Sequence, residues 1–332
     1  MNAQTRFDVV AIGNAMVDVL ANMDDEFLTK HNMPKGMMTL IDATSAETIY
    51  RHISQNSVEC SGGSAANTAV GIAALGGSPA FIGKVADDEL GEVFRKDITQ
   101  SGVYFTTPCL ENEKPTARCM VIVSPDAQRT MNTYLGACSK LSRKDIDESL
   151  IRQAKIVYME GYLWDRPEAK DALAYAVELA RKYNRKVSLS LSDPFCVNRH
   201  RDSFLQLIKS GVDILFCNED EIKALFNVAD PEEAFKNCKD LCETAVITRG
   251  DKGAVAICGE ERHEIPAEPI RRVVDTTGAG DLFAAGFLTG LAREKSVQDC
   301  LQMGAVAAAE IISHYGARPE TSLSDLISKK VG

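Results

Sequence analysis

The seven residues Asp275-Thr276-Thr277-Gly278-Ala279-Gly280-Asp281 constrain this chain more than any other stretch of it. They follow a β-branched pair, Val273-Val274, and precede a long apolar run, Leu282-Phe283-Ala284-Ala285-Gly286-Phe287-Leu288. That order predicts a strand, a tight small-residue loop and a buried helix. Glycines at 278 and 280 let an anion approach bare backbone N–H groups at a helix start, where the helix adds partial positive charge. An acidic residue in the same first turn is a poor neighbour for a phosphate that merely rests there. It is a good neighbour for a hydroxyl that must lose its proton to attack one. Loop and Asp281 together point to phosphoryl transfer, with Asp281 as general base. The same residues also fit an ordinary helix start, where Asp is favoured and Gly is common. A dinucleotide fingerprint fits poorly, because no third spaced glycine follows Gly278-Ala279-Gly280.

Bulk properties narrow the partners. A chain of 332 residues can bury a large core, as two domains or as one α/β domain with an appendage. The formal charge is 37 − 47 = −10, and no basic stripe appears, which argues against nucleic acid. Ten cysteines are scattered without a Cys-x-x-Cys pair, so a zinc site is not expected. Many lie in apolar runs such as Ile214-Leu215-Phe216-Cys217, where Cys acts as a small hydrophobe. The start, Met1 to Arg6, shows no apolar signal behind a basic end, and no apolar stretch is long enough to span a bilayer. The expectation is a reduced, cytoplasmic protein with no membrane partner.

Short apolar runs alternate with helical patterns. Strands are predicted at Phe7–Gly13, Pro79–Val85, Ile156–Met159, Val187–Leu191, Val212–Phe216, Ala245–Thr248 and Ala254–Cys258. Helices are predicted at Ser64–Leu75, Glu168–Tyr183, Glu219–Phe226, Gly280–Leu291 and Val297–Ser313. This rhythm implies a three-layer α/β/α fold with a mostly parallel central sheet, whose ligands collect at strand carboxyl ends. Residues 18–43 and 105–137 break the rhythm and look strand-rich. They predict one small antiparallel lid, inserted discontinuously into a large nucleotide-binding domain of residues 1–17, 44–104 and 138–332. The Ser124–Gln128 turn joins two lid strands. Gly62-Gly63 is the expected hinge where the chain returns to the core.

Four motifs in order carry a family resemblance: Gly62-Gly63-Ser64-Ala65-Ala66-Asn67, Asn218-Glu219-Asp220-Glu221, Thr248-Arg249-Gly250-Asp251-Lys252-Gly253, and Asp275 to Asp281. The chain resembles the ribokinase-like (PfkB) kinases, which phosphorylate sugars and nucleosides. The match is collinear from Gly13 to Gly316. Gly161-Tyr162-Leu163-Trp164 and Leu189 to Phe195 make it most similar to the adenosine kinases within that family.

The resemblance implies a phosphotransferase that uses ATP with Mg²⁺ and K⁺, working as a monomer or homodimer. It places the acceptor's hydroxyls on Asn14, Asp18, Gly63, Ser64 and Asn67. It places ATP along Asn218, Thr248, Gly250 and Gly253, Mg²⁺ near Glu221 through water, and K⁺ on carbonyls of Asp275, Thr277 and Gly316. The amides of Gly278, Ala279 and Gly280 would hold developing charge. Arg129 would close over the transferring phosphate, and Tyr162 would stack on a base. Simpler readings stand beside these. Asp18 and Asn67 fit solvated polar positions, Glu221 a helix-first-turn acid, and Gly250 and Gly253 a hairpin turn. Arg129 also fits an edge-strand charge that blocks sheet pairing. Trp164 fits the core, and Met37, Met38 and Met131 fit either a base slot or the lid core. The reading reached is transfer of the ATP γ-phosphate to the 5′-hydroxyl of a ribonucleoside, adenosine first. A sugar kinase and a non-catalytic nucleoside or sugar sensor remain alternatives.

Overall fold

A computed structural model describes residues 5–126 and 128–331. The first four residues, read above for a targeting segment, and Ala127 of the lid turn lie outside them. Strands are numbered along the chain. The large sheet holds β1 (Phe7–Ile12), β5 (Pro79–Ile82), β6 (Tyr104–Phe105), β9 (Ala154–Glu160), β10 (Lys186–Ser190), β11 (Ile214–Asn218), β12 (Thr244–Thr248), β13 (Ala254–Cys258) and β14 (Glu261–Ile265). Their spatial order is β14-β13-β12-β11-β10-β9-β1-β5-β6. From β6 to β12 every pairing is parallel; β13 and β14 add an antiparallel edge.

The parallel strands are apolar on both faces because helices cover both. Val9, Ala11, Ile156, Tyr158 and Phe216 join one core cluster, while their chain neighbours Val10, Ile12, Val157, Met159 and Leu215 join the other. On the first face lie α3 (Ser64–Ala74), α4 (Glu89–Gln100), α10 (Ala279–Ala292), α11 (Val297–Ile311) and α12 (Leu323–Lys330). On the second lie α5 (Glu148–Gln153), α6 (Pro167–Lys182), α7 (Pro194–Gly211), α8 (Glu219–Phe226) and α9 (Pro231–Cys238). The family's three-layer arrangement is therefore present, with a second, smaller sheet beside it. Among the described residues, no helix is long and apolar enough to cross a membrane.

Small residues let the helices of the first face approach closely. A Cβ on Gly71 of α3 would sit 2.7 Å from both Ala285 and Leu282 of α10. A Cβ on Gly286 of α10 would sit 2.4 Å from the Met303 carbonyl of α11. This close packing sets the first turn of α3 against the first turn of α10, where Ser64 and Asn67 meet Asp281.

The lid differs from its expected form in three ways. Its strands are β2 (Met16–Asn22), β3 (Met38–Leu40), β4 (Val58–Gly62), β7 (Ala117–Val123) and β8 (Arg129–Tyr134), in the order β3-β8-β7-β2-β4. The sheet is mixed rather than antiparallel, because β2 runs parallel to β7 and β3 parallel to β8. Residues 58–62, assigned from sequence to the large domain, pair with β2 inside the lid sheet. Their short polar run carries little strand signal. Helices α1 (Asp25–Lys30) and α2 (Ala43–Ile53) also interrupt or follow the segment read as strand-rich, each started by an aspartate cap. A fourth difference lies at Val273-Val274, which form no strand. Val273 is exposed, and the Val274 N–H donates to the Ile312 carbonyl at 2.8 Å. Two β-branched residues are too short a run to hold a sheet edge.

Candidate active site

A cleft of about 790 Å³ lies between the carboxyl ends of the central strands and the lid. Asn14 follows β1, Glu160 ends β9, Asn218 ends β11 and Thr248 ends β12, and all four line it. Asp18 and Met16 of β2, Cys119 of β7 and Met131 of β8 face them from the lid. The loop from Thr276 to Asp281 closes one side.

The loop is shaped by its first glycine. Gly278 caps α10 with φ 79°, a left-handed conformation that a side chain would strain. Asp281 is the third residue of that helix. Its Oδ1 accepts from Ser64 Oγ at 2.6 Å and its Oδ2 from Asn67 Nδ2 at 2.9 Å, both on α3. Burial pushes the Asp281 carboxyl above its ordinary value, against the pull of those two hydrogen bonds and of the Arg318 charge. A carboxylate made more basic is a better acceptor for a proton taken from a hydroxyl. Among the described residues nothing accepts from the N–H groups of Gly278 and Gly280, while the Ala279 N–H donates to the Thr276 carbonyl at 3.2 Å. Two of the three expected amides therefore remain available to an anion.

On the acceptor side, Gly63 has φ 101°, and a Cβ there would sit 2.1 Å from the Asn14 carbonyl. A Cβ on Gly62 would overlap the Asp18 carboxylate at 2.4 Å. The glycine pair thus makes room for Asn14 and Asp18 at the point where β4 passes into α3. Among the described residues no group donates to the Asp18 carboxylate, and burial raises its pKa to about 6, partly offset by Arg318 and Arg129. Asn14 donates Nδ2 to Glu160 Oε1 at 2.5 Å, which leaves its side-chain oxygen for a hydroxyl. Asn67 is buried and engaged at both ends, to Asp281 and to Arg318. Tyr162 and Phe195 stand exposed at the cleft rim on the core side, with exposed Met38 and Leu40 and half-buried Met131 on the lid side. Trp164 is core: its indole donates to Ser203 Oγ at 3.1 Å and stacks on Phe204. Met37 is exposed but does not line the cleft.

On the donor side, Asn218 and Glu221 form a reciprocal cap at the start of α8, with Asn218 Oδ1 accepting from the Glu221 N–H at 2.8 Å. The Glu221 carboxylate accepts from Asn218 at 2.7 and 3.0 Å, and burial raises its pKa to about 7. Gly250 and Gly253 shape the β12–β13 hairpin turn beyond Thr248 and do not line the cleft. Arg129, Asp275 and Gly316 also lie outside the cleft lining, in a cluster of their own. Asp275 accepts from the Thr277 N–H at 3.0 Å, from Thr277 Oγ1 at 2.8 Å and from the Gly316 N–H at 3.0 Å. Arg129 pairs with its Oδ2 at 2.7 Å, both side chains nearly buried. Arg129 is thus a strut between lid and loop here rather than an edge-strand charge.

Two site residues escaped the sequence reading. Glu160 is fully buried and accepts from the Asn14 N–H at 2.8 Å and the Ala65 N–H at 2.8 Å, so it joins the first loop to the start of α3. Arg318 donates to Asn67 Oδ1 at 2.7 Å and to Ser61 Oγ at 2.8 Å. A lone Glu ending a strand and a lone Arg in a C-terminal loop carry no local pattern. Only their pairing in space reveals them.

The pfkB family carbohydrate kinase profile matches residues 35–323. The chain belongs to that family. A crystal structure of adenosine kinase from Sinorhizobium meliloti is 46% identical, covers 98% of this chain and 99% of its own, and superposes with a TM-score of 0.90. A structure of a probable sugar kinase protein from Rhizobium etli CFN 42 is 45% identical, with the same TM-score and coverage. Adenosine kinase 2 of Arabidopsis thaliana is 28% identical over 95% of this chain and 97% of its own length. As a member of this kinase family the chain is a phosphotransferase with a hydroxyl acceptor.

Proposed function

We propose that this kinase transfers the γ-phosphate of ATP to the 5′-hydroxyl of adenosine. The observation that carries the reading is Asp281, raised in proton affinity and oriented by Ser64 and Asn67, beside two unengaged amides at the start of α10. In this reading the acceptor's ribose hydroxyls donate to Asp18 and contact Asn14. The 5′-oxygen then faces Asp281 Oδ, which takes its proton as the oxygen attacks the terminal phosphorus. Negative charge gathering on the transferred group meets the Gly278 and Gly280 N–H groups and the positive end of α10. The apolar rim of Tyr162, Phe195, Leu40 and Met131 suits the flat faces of a purine better than a free sugar. The resemblance to adenosine kinases supports the same choice.

Donor contacts fall to Asn218 and Thr248. Mg²⁺ fits beside Glu221: each carboxylate oxygen keeps a lone pair after its bond to Asn218, and a buried carboxylate raised to about 7 gains from a hydrated cation. When bound, Mg²⁺ would supply charge neutralisation to the donor phosphates. A monovalent cation such as K⁺ fits the Asp275–Gly316 cluster, where no described residue donates to the carbonyls of Asp275, Thr277 and Gly316.

The test is ADP release with adenosine, guanosine, ribose and fructose as acceptors, each with and without K⁺. Adenosine is expected to give the highest kcat/KM. The Rhizobium etli relative described as a probable sugar kinase favours the second reading, and a higher kcat/KM for ribose or fructose would establish it.

A further inference from the structure

Two acidic side chains, Asp18 from the lid and Asp281 from the core, share one cleft. Burial raises the proton affinity of both, and the Asp281 charge adds to that of Asp18. Such a pair needs a resident positive charge if both members are to stay ionised. The structure offers Arg318. Its loop is pinned on both sides. The Gly316 N–H donates to Asp275, and Glu310 of α11 accepts from the N–H groups of Glu320 and Thr321 at 2.9 and 3.0 Å. From that fixed loop the guanidinium reaches two elements at once. Nη1 donates to Asn67 Oδ1 at 2.7 Å, and Nη2 donates to the carbonyl and to the hydroxyl of Ser61. Ser61 lies in lid strand β4, and its hydroxyl in turn donates to Asp97 of α4 at 2.5 Å.

We propose that Arg318 is the positioning residue and counter-ion of the acceptor site. Its guanidinium holds Asn67 in the orientation that donates to Asp281, ties the lid's edge strand β4 to the core, and lends positive charge to the carboxylate pair. The Asn67 step follows from chemistry. An amide whose oxygen is fixed by an arginine must present its NH₂ to the other side, and Asp281 Oδ2 is there. The fork of a guanidinium serves two partners that an ammonium cannot span.

Other charged and titratable groups act on the pair. Glu160 of β9, raised to about 7 chiefly by burial, is pushed further by the Asp281 charge. Tyr158 and Tyr162 stay neutral near it. Around Asp18, the thiols of Cys60 and Cys119 are pushed up to about 12 and carry no charge, and Arg129 adds a second, weaker pull. Among the described residues, Arg318 is the one cation acting on both carboxylates.

The inference rests on Asp281 as the base, and the test separates the two. Arg318→Met and Arg318→Lys would be titrated by ¹³C NMR of the Asp281 carboxyl, identified by its loss in Asp281→Asn, and by kcat/KM against pH. Loss of the charge in Arg318→Met is expected to move the Asp281 midpoint and the acid limb of kcat/KM upward by about one pH unit. Arg318→Lys keeps the charge and loses the fork, so its midpoint should hold while the acceptor KM rises severalfold. An unmoved midpoint in the Met variant, or a parental KM in the Lys variant, would overturn the proposal. The NMR midpoint does not depend on turnover. If the parent phosphorylates no nucleoside, the functional reading falls while the role of Arg318 as counter-ion is still decided.

Discussion

The two sheets of this molecule are built on opposite rules. The parallel strands of the large sheet are buried on both faces, and β1, β9 and β11 are apolar through their middles. In the lid sheet β2 buries every second residue, while its neighbour β7 is buried along nearly its whole length. The large sheet places its chemistry at strand ends and at the start of α10, held by helices that touch backbone to backbone. The lid places its chemistry mid-strand: Asp18 pairs across to Cys60 on one side and Cys119 on the other, all within the sheet. In the proposed reading the core carries phosphoryl transfer and the lid carries acceptor recognition. Two arginines cross the seam in opposite directions, Arg129 from lid to core and Arg318 from core to lid.

That division can be broken at several points. The largest effect belongs to the core. Asp281→Asn should lower kcat by ~10²–10⁴-fold with little change in adenosine affinity, measured by steady-state kinetics and calorimetry. At the seam, Arg129→Met leaves Asp275 buried without its cation, and about 3–5 kcal/mol of stability should be lost in chemical denaturation. An unchanged unfolding midpoint would show that the strut is not what joins lid to core.

The lid should reveal itself through pH. Asp18 has a proton affinity raised to about 6, so it is ionised above that value and protonated below it. Protonation removes acceptor capacity for the diol, and acceptor KM should climb by about tenfold per pH unit below 6. In Asp18→Asn the KM should be high and flat across that range; a slope that persists would move the titration to another group. The smallest effect is expected at the rim. Tyr162→Ala should raise the adenosine KM by about 2–10-fold and leave ribose turnover alone. Equal effects on both acceptors would remove Tyr162 from the base slot.

The core was far more legible than the lid, for the same physical reason. Continuous apolar runs and small-residue helices announce themselves locally, so β13 and α8 fall on their predicted residues and α10 extends its predicted span by one residue at each end. The loop before α10 carries glycines and an acid in a recognisable order. The lid strand β4 carries no such pattern, because Val58-Glu59-Cys60-Ser61-Gly62 is held by its pairing with β2 rather than by its own propensity. Glu160 and Arg318 were invisible for a related reason. Their importance lies in partners 95 and 251 residues away along the chain. Arg129 and Asp275 were each seen, yet not as partners, since an ion pair between a lid strand and a loop leaves no spacing to read.

The most direct test of the central claim isolates the chemical step. Rapid-quench single turnover with γ-labelled ATP and saturating adenosine would compare Asp281→Asn with the parent chain. Formation of labelled AMP should slow by ~10²–10⁴-fold while adenosine binding stays intact. A near-parental rate of label transfer in the variant would contradict the assignment of Asp281 as the base.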